Sequence, residues 1–189
     1  GEISIDGINI KDYTLSSLRK NIGIVLQDVF LFSDSIFNNI TLKDESISLD
    51  QVKLAAKQIG VHDFIMSLPN NYYYNVKERG IMLSSGQRQL IAFLRVYVSD
   101  PQILILDEAT SSIDSNSEIL IQNATEKLTK NRTSLIIAHR LATVKKADNI
   151  IVMDSGNIIE QGSHKELINN IDGYYKKLYD VQFQVKSES

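Results

Sequence analysis

Polar residues of catalytic type stand where three apolar runs end. Gln27 follows Ile22-Gly23-Ile24-Val25-Leu26, the pair Asp107-Glu108 closes Ile103-Leu104-Ile105-Leu106, and His139 follows Ser134-Leu135-Ile136-Ile137-Ala138. Ligands of open α/β sheets bind beyond the carboxyl ends of the strands, so parallel strands here would gather these groups on one edge. An acidic pair after a wholly apolar strand suits a nucleoside triphosphatase: one carboxylate faces a Mg²⁺ shell and the next orients or deprotonates a water. The same pair is equally the solvated end of a strand, and a lone histidine is more often structural than catalytic. A further feature, Leu83-Ser84-Ser85-Gly86-Gln87, precedes a helical pattern, where backbone N–H groups at a positive helix end can meet a phosphate. Taken alone it is a helix cap.

These residues need a scaffold, and the pattern predicts an α/β one. Ile3, Ile5, Ile8 and Ile10 alternate about Asp6-Gly7, which predicts a hairpin, and a short helical piece spans Leu15 to Arg19. Ser48-Leu49-Asp50-Gln51 has capping-box spacing and Gly60 offers a helix stop; a second helical segment runs from Val61 to Leu68, before Pro69, and a third from Gln87 to Val98. Residues 103–106, apolar at every position, read as a central strand covered on both faces. A helix over about 115–130 and the strand at 134–138 complete a βαβ alternation, whose natural solution is a parallel sheet flanked by helices. A hairpin turning on Ser155-Gly156, a capping box at Ser163-His164-Lys165-Glu166 and a last helix from about Gly173 end the chain. His62 and His164 fall in helical segments and read as structural, and Tyr72-Tyr73-Tyr74 reads as packing or surface.

Composition narrows the chemistry. The 189 residues carry 20 Lys+Arg against 23 Asp+Glu, a formal charge of −3, and are 43% hydrophobic, enough for a sizeable core. The basic residues gather no further than pairs such as Lys145-Lys146, which argues against nucleic acid as a partner. Without any cysteine the chain has no disulfide framework, thiolate zinc site or Cys nucleophile. No run approaches the roughly 18 apolar residues of a membrane span. The chain opens on Gly1-Glu2-Ile3 without an initiator Met, which reads as an entry partway into a domain.

The order of motifs resembles the nucleotide-binding domain of ABC transporters over essentially the whole chain. The resemblance is carried by Gln27-Asp28 with Leu31-Phe32 and Ser35-Ile36-Phe37-Asn38-Asn39-Ile40, then Glu78-Arg79-Gly80, Leu83-Ser84-Ser85-Gly86-Gln87-Arg88-Gln89, the run from Ile103 to Asp114, and Ala138-His139-Arg140-Leu141. It is most similar to the exporter type, in which a permease is fused ahead of the ATPase. The resemblance implies a P-loop NTPase-like fold lacking its N-terminal strands and P-loop, with residues 1–33 and 101–189 in a RecA-like core and 34–100 in a helical subdomain that bears the signature motif. By position it also implies roles. Gln27 reaches Mg²⁺ and the attacking water; Asp107 holds Mg²⁺; Glu108 is the general base or positions the water; His139 is the switch near the γ-phosphate. Ser84, Ser85, Gly86 and Gln87 match the signature that closes over ATP bound to the opposite subunit. Asp114 couples the two sites, and Glu78 matches a residue that meets the coupling helices.

There are departures. Ser85 stands where a second Gly is usual, Lys77 where a Gly precedes the glutamate, and Ser112-Ile113 where Ala-Leu is commoner. No Gly in the chain is followed by Lys, so the Gly-x-x-x-x-Gly-Lys-Ser/Thr phosphate loop is not in this sequence. The resemblance implies an ATP- and Mg²⁺-dependent motor of an exporter on the cytoplasmic face of a membrane. Its partners are a second ATPase domain and a permease, and its cargo is hydrophobic or lipid-like. The alternatives are a degenerate half of a heterodimer, suggested by Ser85, and a non-transport ABC ATPase, disfavoured by the compact stretch between Gln27 and Leu83.

Overall fold

The computed structural model describes residues 1–107, 115–138 and 141–187, in two units, 1–137 and 138–189. The first unit opens with the expected hairpin: β1 (Ser4–Ile5) pairs antiparallel with β2 (Ile8–Asn9) around Asp6-Gly7. Helix α1 (Leu15–Asn21) starts at Thr14, whose hydroxyl accepts the Ser17 N–H at 3.2 Å. Strand β3 (Ile22–Val25) follows directly.

Four helices then intervene: α2 (Ile36–Thr41), α3 (Leu49–Ile59), α4 (His62–Met66) and α5 (Ser85–Ser99). The capping box at Ser48 and Gln51 forms, and α3 stops at Gly60. His62 is tied through Nδ1 to the buried Tyr72 hydroxyl at 2.9 Å, and burial pushes the Tyr72 phenol up to about 12. After α5 come β4 (Ile103–Asp107), α6 (Ser115–Thr129) and β5 (Thr133–Ile137).

The sheet order is β3-β4-β5, all parallel, in the register Val25↔Leu106 and Asp107↔Ile137. One apolar core runs from the sheet face bearing Val25, Leu104 and Leu106 through Leu90, Ile91 and Leu94 of α5 to Ile121 and Leu128 of α6. Gly23 lets α5 approach the sheet: a Cβ there would lie 2.6 Å from both Pro101 Cγ and Val96 Cγ1.

The other sheet face departs from the expectation of a strand covered on both sides. Ile24, Leu135 and Ile137 are 51%, 59% and 52% exposed, and Ile24 and Leu135 flank Ile105 in register. Within the first unit α5 and α6 both pack on the Leu104 and Leu106 side of the run 103–106, and Ile103 and Ile105 on its other side are half-buried.

In the second unit α7 (Leu141–Val144) precedes β6 (Ile150–Asp154) and β7 (Asn157–Gly162), an antiparallel hairpin with a bulge at Val152/Met153. Helix α8 (His164–Ile168) begins at the predicted Ser163–Glu166 capping box, and α9 (Tyr174–Ser187) is the last element among the described residues. Ile150, Val152, Leu167 and Tyr175 form its core, where His164 Nδ1 meets the Tyr175 hydroxyl at 2.6 Å. Among the described residues no helix is long and apolar enough to cross a membrane.

Candidate functional site

Two groups of the expected residues take shape. The first lies at the carboxyl edge of the sheet. Asp107 is the last residue of β4, and Gln27 lies two residues beyond the end of the neighbouring parallel strand β3. Parallel pairing, with Val25 opposite Leu106, puts both at the same edge, and Ile137 at the end of β5 lies opposite Asp107. Gln27 is exposed. Glu108, Asp114 and His139 lie outside the described residues.

The second group is the start of α5. Ser84 is its N-cap: its hydroxyl oxygen accepts the Gln87 N–H at 3.2 Å, while Gln87 Oε1 accepts the Ser84 N–H at 3.0 Å. This is a full capping box, so the Gln87 side chain is committed to shaping the turn. The Ser84 hydroxyl keeps its hydrogen to donate, at an exposed helix end whose dipole favours anions. Leu83 is buried, and Arg88 Nη1 donates to its carbonyl at 2.6 Å, which fixes the entry to the helix. Ser85 occupies the first helical position, half-buried, and Gly86 the second, buried.

The segment joining Gln27 to α2 is held from several sides. Leu31 is fully buried, and Asn39, fully buried on α2, binds the segment's backbone at both faces of one residue. Its Oδ1 accepts the Phe32 N–H at 2.8 Å, and its Nδ2 donates to the carbonyls of Phe32 and Ser35 at 3.0 Å each. Arg95 of α5 donates from Nε to the Asn39 carbonyl at 2.8 Å and from Nη2 to the Phe30 carbonyl at 3.4 Å. Burial lowers the pKa of its guanidinium. Phe30 and Phe32 stack edge to face, with ring centroids 5.1 Å apart, and remain more than half exposed.

The Glu78-Arg79-Gly80 turn leans on the same segment. A Cβ on Gly80, at φ 68°, would lie 2.9 Å from Leu31 Cδ1 and 3.1 Å from Arg88 Cδ. Lys77, just before it, sits at φ 61° and ψ −171°, a region essentially reserved for glycine. The departure at Lys77 noted in the sequence thus keeps the glycine-type backbone without the glycine.

Gln89 and Asn39 are buried polar residues to which the sequence alone assigned no role. Gln89, 3% exposed, lines a hollow of about 10 Å³ together with Asp107, Phe93, Leu106, Thr125 and Ile136. The signal was available: Gln89 and Phe93 are four apart, so a polar residue stands in the apolar stripe of α5. Asn39 and Arg95 left no local signal, since their contacts are made across the fold.

Among the described residues no cluster of three or more His, Cys, Asp or Glu forms that could hold a metal by itself. Asp107 is the described carboxylate at the sheet edge, and Mg²⁺ is commonly held by one or two carboxylates together with substrate phosphates and waters.

Comparison with known proteins gives this geometry its family. The profile described as "ABC transporter" matches residues 1–111, more than half of the chain. Proteins of Staphylococcus aureus strains NCTC 8325 / PS 47 and N315, named as multidrug export ATP-binding/permease proteins, are each 50% identical over 182 residues, or 96% of this chain. The chain spans 31% of the length of those relatives. A solved structure of a bacterial Atm1-family ABC exporter with ATP bound superposes with a TM-score of 0.86 at 42% identity, covering 96% of this chain and 32% of that one. Its fold is accordingly that of a P-loop NTPase-like ABC ATPase, and the chain belongs to the ABC transporter family, as a nucleotide-binding domain of the exporter type.

Proposed function

We propose that the protein containing this chain hydrolyses ATP to drive export of a hydrophobic or lipid-like substrate, with this domain as its motor. The observation that carries the reading is the parallel register that brings Gln27 and Asp107 to one sheet edge. The exposed, capped helix start at Ser84 supports it. The proposal includes a domain dimer, homomeric or heteromeric, and a permease fused to the domain, which places the motor on the cytoplasmic face of a membrane. The apolar face at Ile24, Leu135 and Ile137 supports a further layer supplied by the rest of the protein. We also propose residues 34–100 as a helical subdomain against a core of 1–33 and 101–189.

The donor set fits Mg²⁺: Asp107 would hold it, with Gln27 completing its shell through the amide oxygen. When bound, the ion neutralises charge on the phosphates. The chain's own residues do the rest by positioning. Gln27 orients the attacking water, and Glu108 accepts its proton. His139 hydrogen-bonds the γ-phosphate as charge shifts during transfer. Ser84 donates its hydroxyl hydrogen to the γ-phosphate of a nucleotide held mainly by the opposite domain, with the backbone of Ser85 and Gly86 and the α5 dipole adding to the field. Asp114 links the two sites. Because each site takes groups from both domains, hydrolysis waits for closure.

A second reading rests on Ser85: in a heterodimer, its added Cβ at the signature would weaken hydrolysis at the partner's site. The test is MgATP hydrolysis by the complete protein in liposomes, with efflux of a hydrophobic dye read in parallel. Asp107→Asn is expected to lower both by about 10²-fold or more. Hydrolysis within a few-fold of the unmodified protein would overturn the assignment.

A further inference from the structure

We propose that Arg95, together with Asn39, is a positioning pair that sets the Gln27 segment from the helix Ser84 caps, so that the two halves of the site are mechanically joined within one domain. The inference rests on the reading of Gln27 given above.

The segment from Leu26 to Asp34 has no regular secondary structure, yet the carbonyls of Phe30 and Phe32 are both taken by side chains. Arg95 takes the first and Asn39 the second, and Arg95 Nε also binds the carbonyl of Asn39 itself. Leu31, between the two held residues, is fully buried and touches the position of Gly80. The segment is thus fixed at three consecutive residues, beginning three residues after Gln27.

Arg95 lies on the same helix as the Ser84 cap, eleven residues along it, or about 16 Å at the rise of an α-helix. A helix of that length moves as a rod. Displacement of its capped start by a nucleotide on the opposite domain is carried to the Phe30 and Asn39 carbonyls. From there it reaches Gln27.

The choice of arginine is informative. Its guanidinium is half-buried and donates to two backbone carbonyls, those of Asn39 and Phe30. A flat fork with fixed donor directions can hold two carbonyls on different segments in one geometry, which a lysine ammonium on a flexible stem cannot. The plainer reading is that Arg95 merely satisfies backbone carbonyls. The two readings part on whether its effect passes through Gln27.

The experiment is a double-mutant cycle on MgATP hydrolysis by the complete protein, with Arg95→Met, Gln27→Ala and the pair. We expect Arg95→Met to lower kcat about tenfold with KM for ATP within about twofold, and this loss to shrink below about twofold in the Gln27→Ala background. Arg95→Lys, which keeps the charge but not the fork, is expected to fall between. Equal losses in both backgrounds would mean a structural role and overturn the inference, leaving the function of Gln27 intact. Turnover unchanged by Gln27→Ala would overturn the parent reading and the inference with it.

If Arg95→Met does not accumulate, Arg95→Lys goes through the same cycle, with amide exchange followed by mass spectrometry. Faster exchange confined to peptides covering residues 28–33 supports the pair. Unchanged exchange there, or faster exchange through α3 as well, contradicts it.

Discussion

Asn39→Ala isolates the energetics of the segment that follows Gln27. The side chain is fully buried and makes three hydrogen bonds, to the Phe32 N–H and to the carbonyls of Phe32 and Ser35. Alanine removes all three and leaves one donor and two acceptors on the backbone without this partner. At a net of about 1 kcal/mol per bond the loss is about 3 kcal/mol. For a domain of this size that corresponds to a fall in Tm of about 6–12 °C. Asn39→Asp sharpens the test, because it keeps the acceptor for the Phe32 N–H but sets a carboxylate oxygen against two carbonyls. Its stability is expected to be no better than that of Asn39→Ala at pH 7 and to recover in part at lower pH, where a protonated carboxyl donates again. The assay is urea unfolding of the domain at pH 7 and pH 5, followed by circular dichroism. A cost below about 1 kcal/mol for alanine, or aspartate as stable as asparagine at pH 7, would refute the claim that these bonds hold the segment.

Three other outcomes follow from the same structure. Lys77→Gly is expected to stabilise the domain by about 1 kcal/mol, since relief of a backbone conformation costing about 1–3 kcal/mol outweighs the greater freedom of glycine when unfolded; urea midpoints would measure it, and a destabilisation would contradict the strain. The Asp34 carboxyl is held below its ordinary pKa of 3.8 chiefly by the Ser35 N–H, then by Asn38 and Lys43. Its contribution is therefore present above that value and lost as pH falls through the lower folded-state value. Asp34→Asn should flatten the acid limb of a stability–pH curve, and an unchanged limb would argue otherwise. Finally, the 189-residue chain titrated alone with MgATP should show little binding, because the Gly-Lys step of a phosphate loop is not in it; a micromolar Kd by calorimetry would contradict this.

Local rules made much of the fold legible. Ser48 with Gln51 and Ser163 with Glu166, each pair three residues apart, announced helix starts, and Gly60 announced a stop, because capping is settled within one turn. The apolar runs at 22–26, 103–106 and 134–138 announced strands, and the residues after them announced an edge. The exposure of Ile24 and Leu135 was not legible, since an all-apolar run reads the same whether one face or both are covered. At the site, Gln27 and Asp107 could be placed from strand ends alone. Asn39 and Arg95 could not: they stand 56 residues apart, and the Arg95 bond to Asn39 exists only once α2 and α5 pack together. Lys77 stood out only as a departure from a resembling pattern, and its positive φ supplies the physical content of that departure.

We propose that the ATP-hydrolysing chemistry of this domain stands at the end of β4. The direct measurement is steady-state MgATP hydrolysis by the complete protein carrying Glu108→Gln, with nucleotide binding and domain association read on the same preparation. Turnover is expected to be nearly abolished, with binding retained and the closed dimer favoured, because the amide cannot accept a proton from the attacking water yet fills the same space. Turnover surviving within a few-fold of the unmodified protein would contradict it.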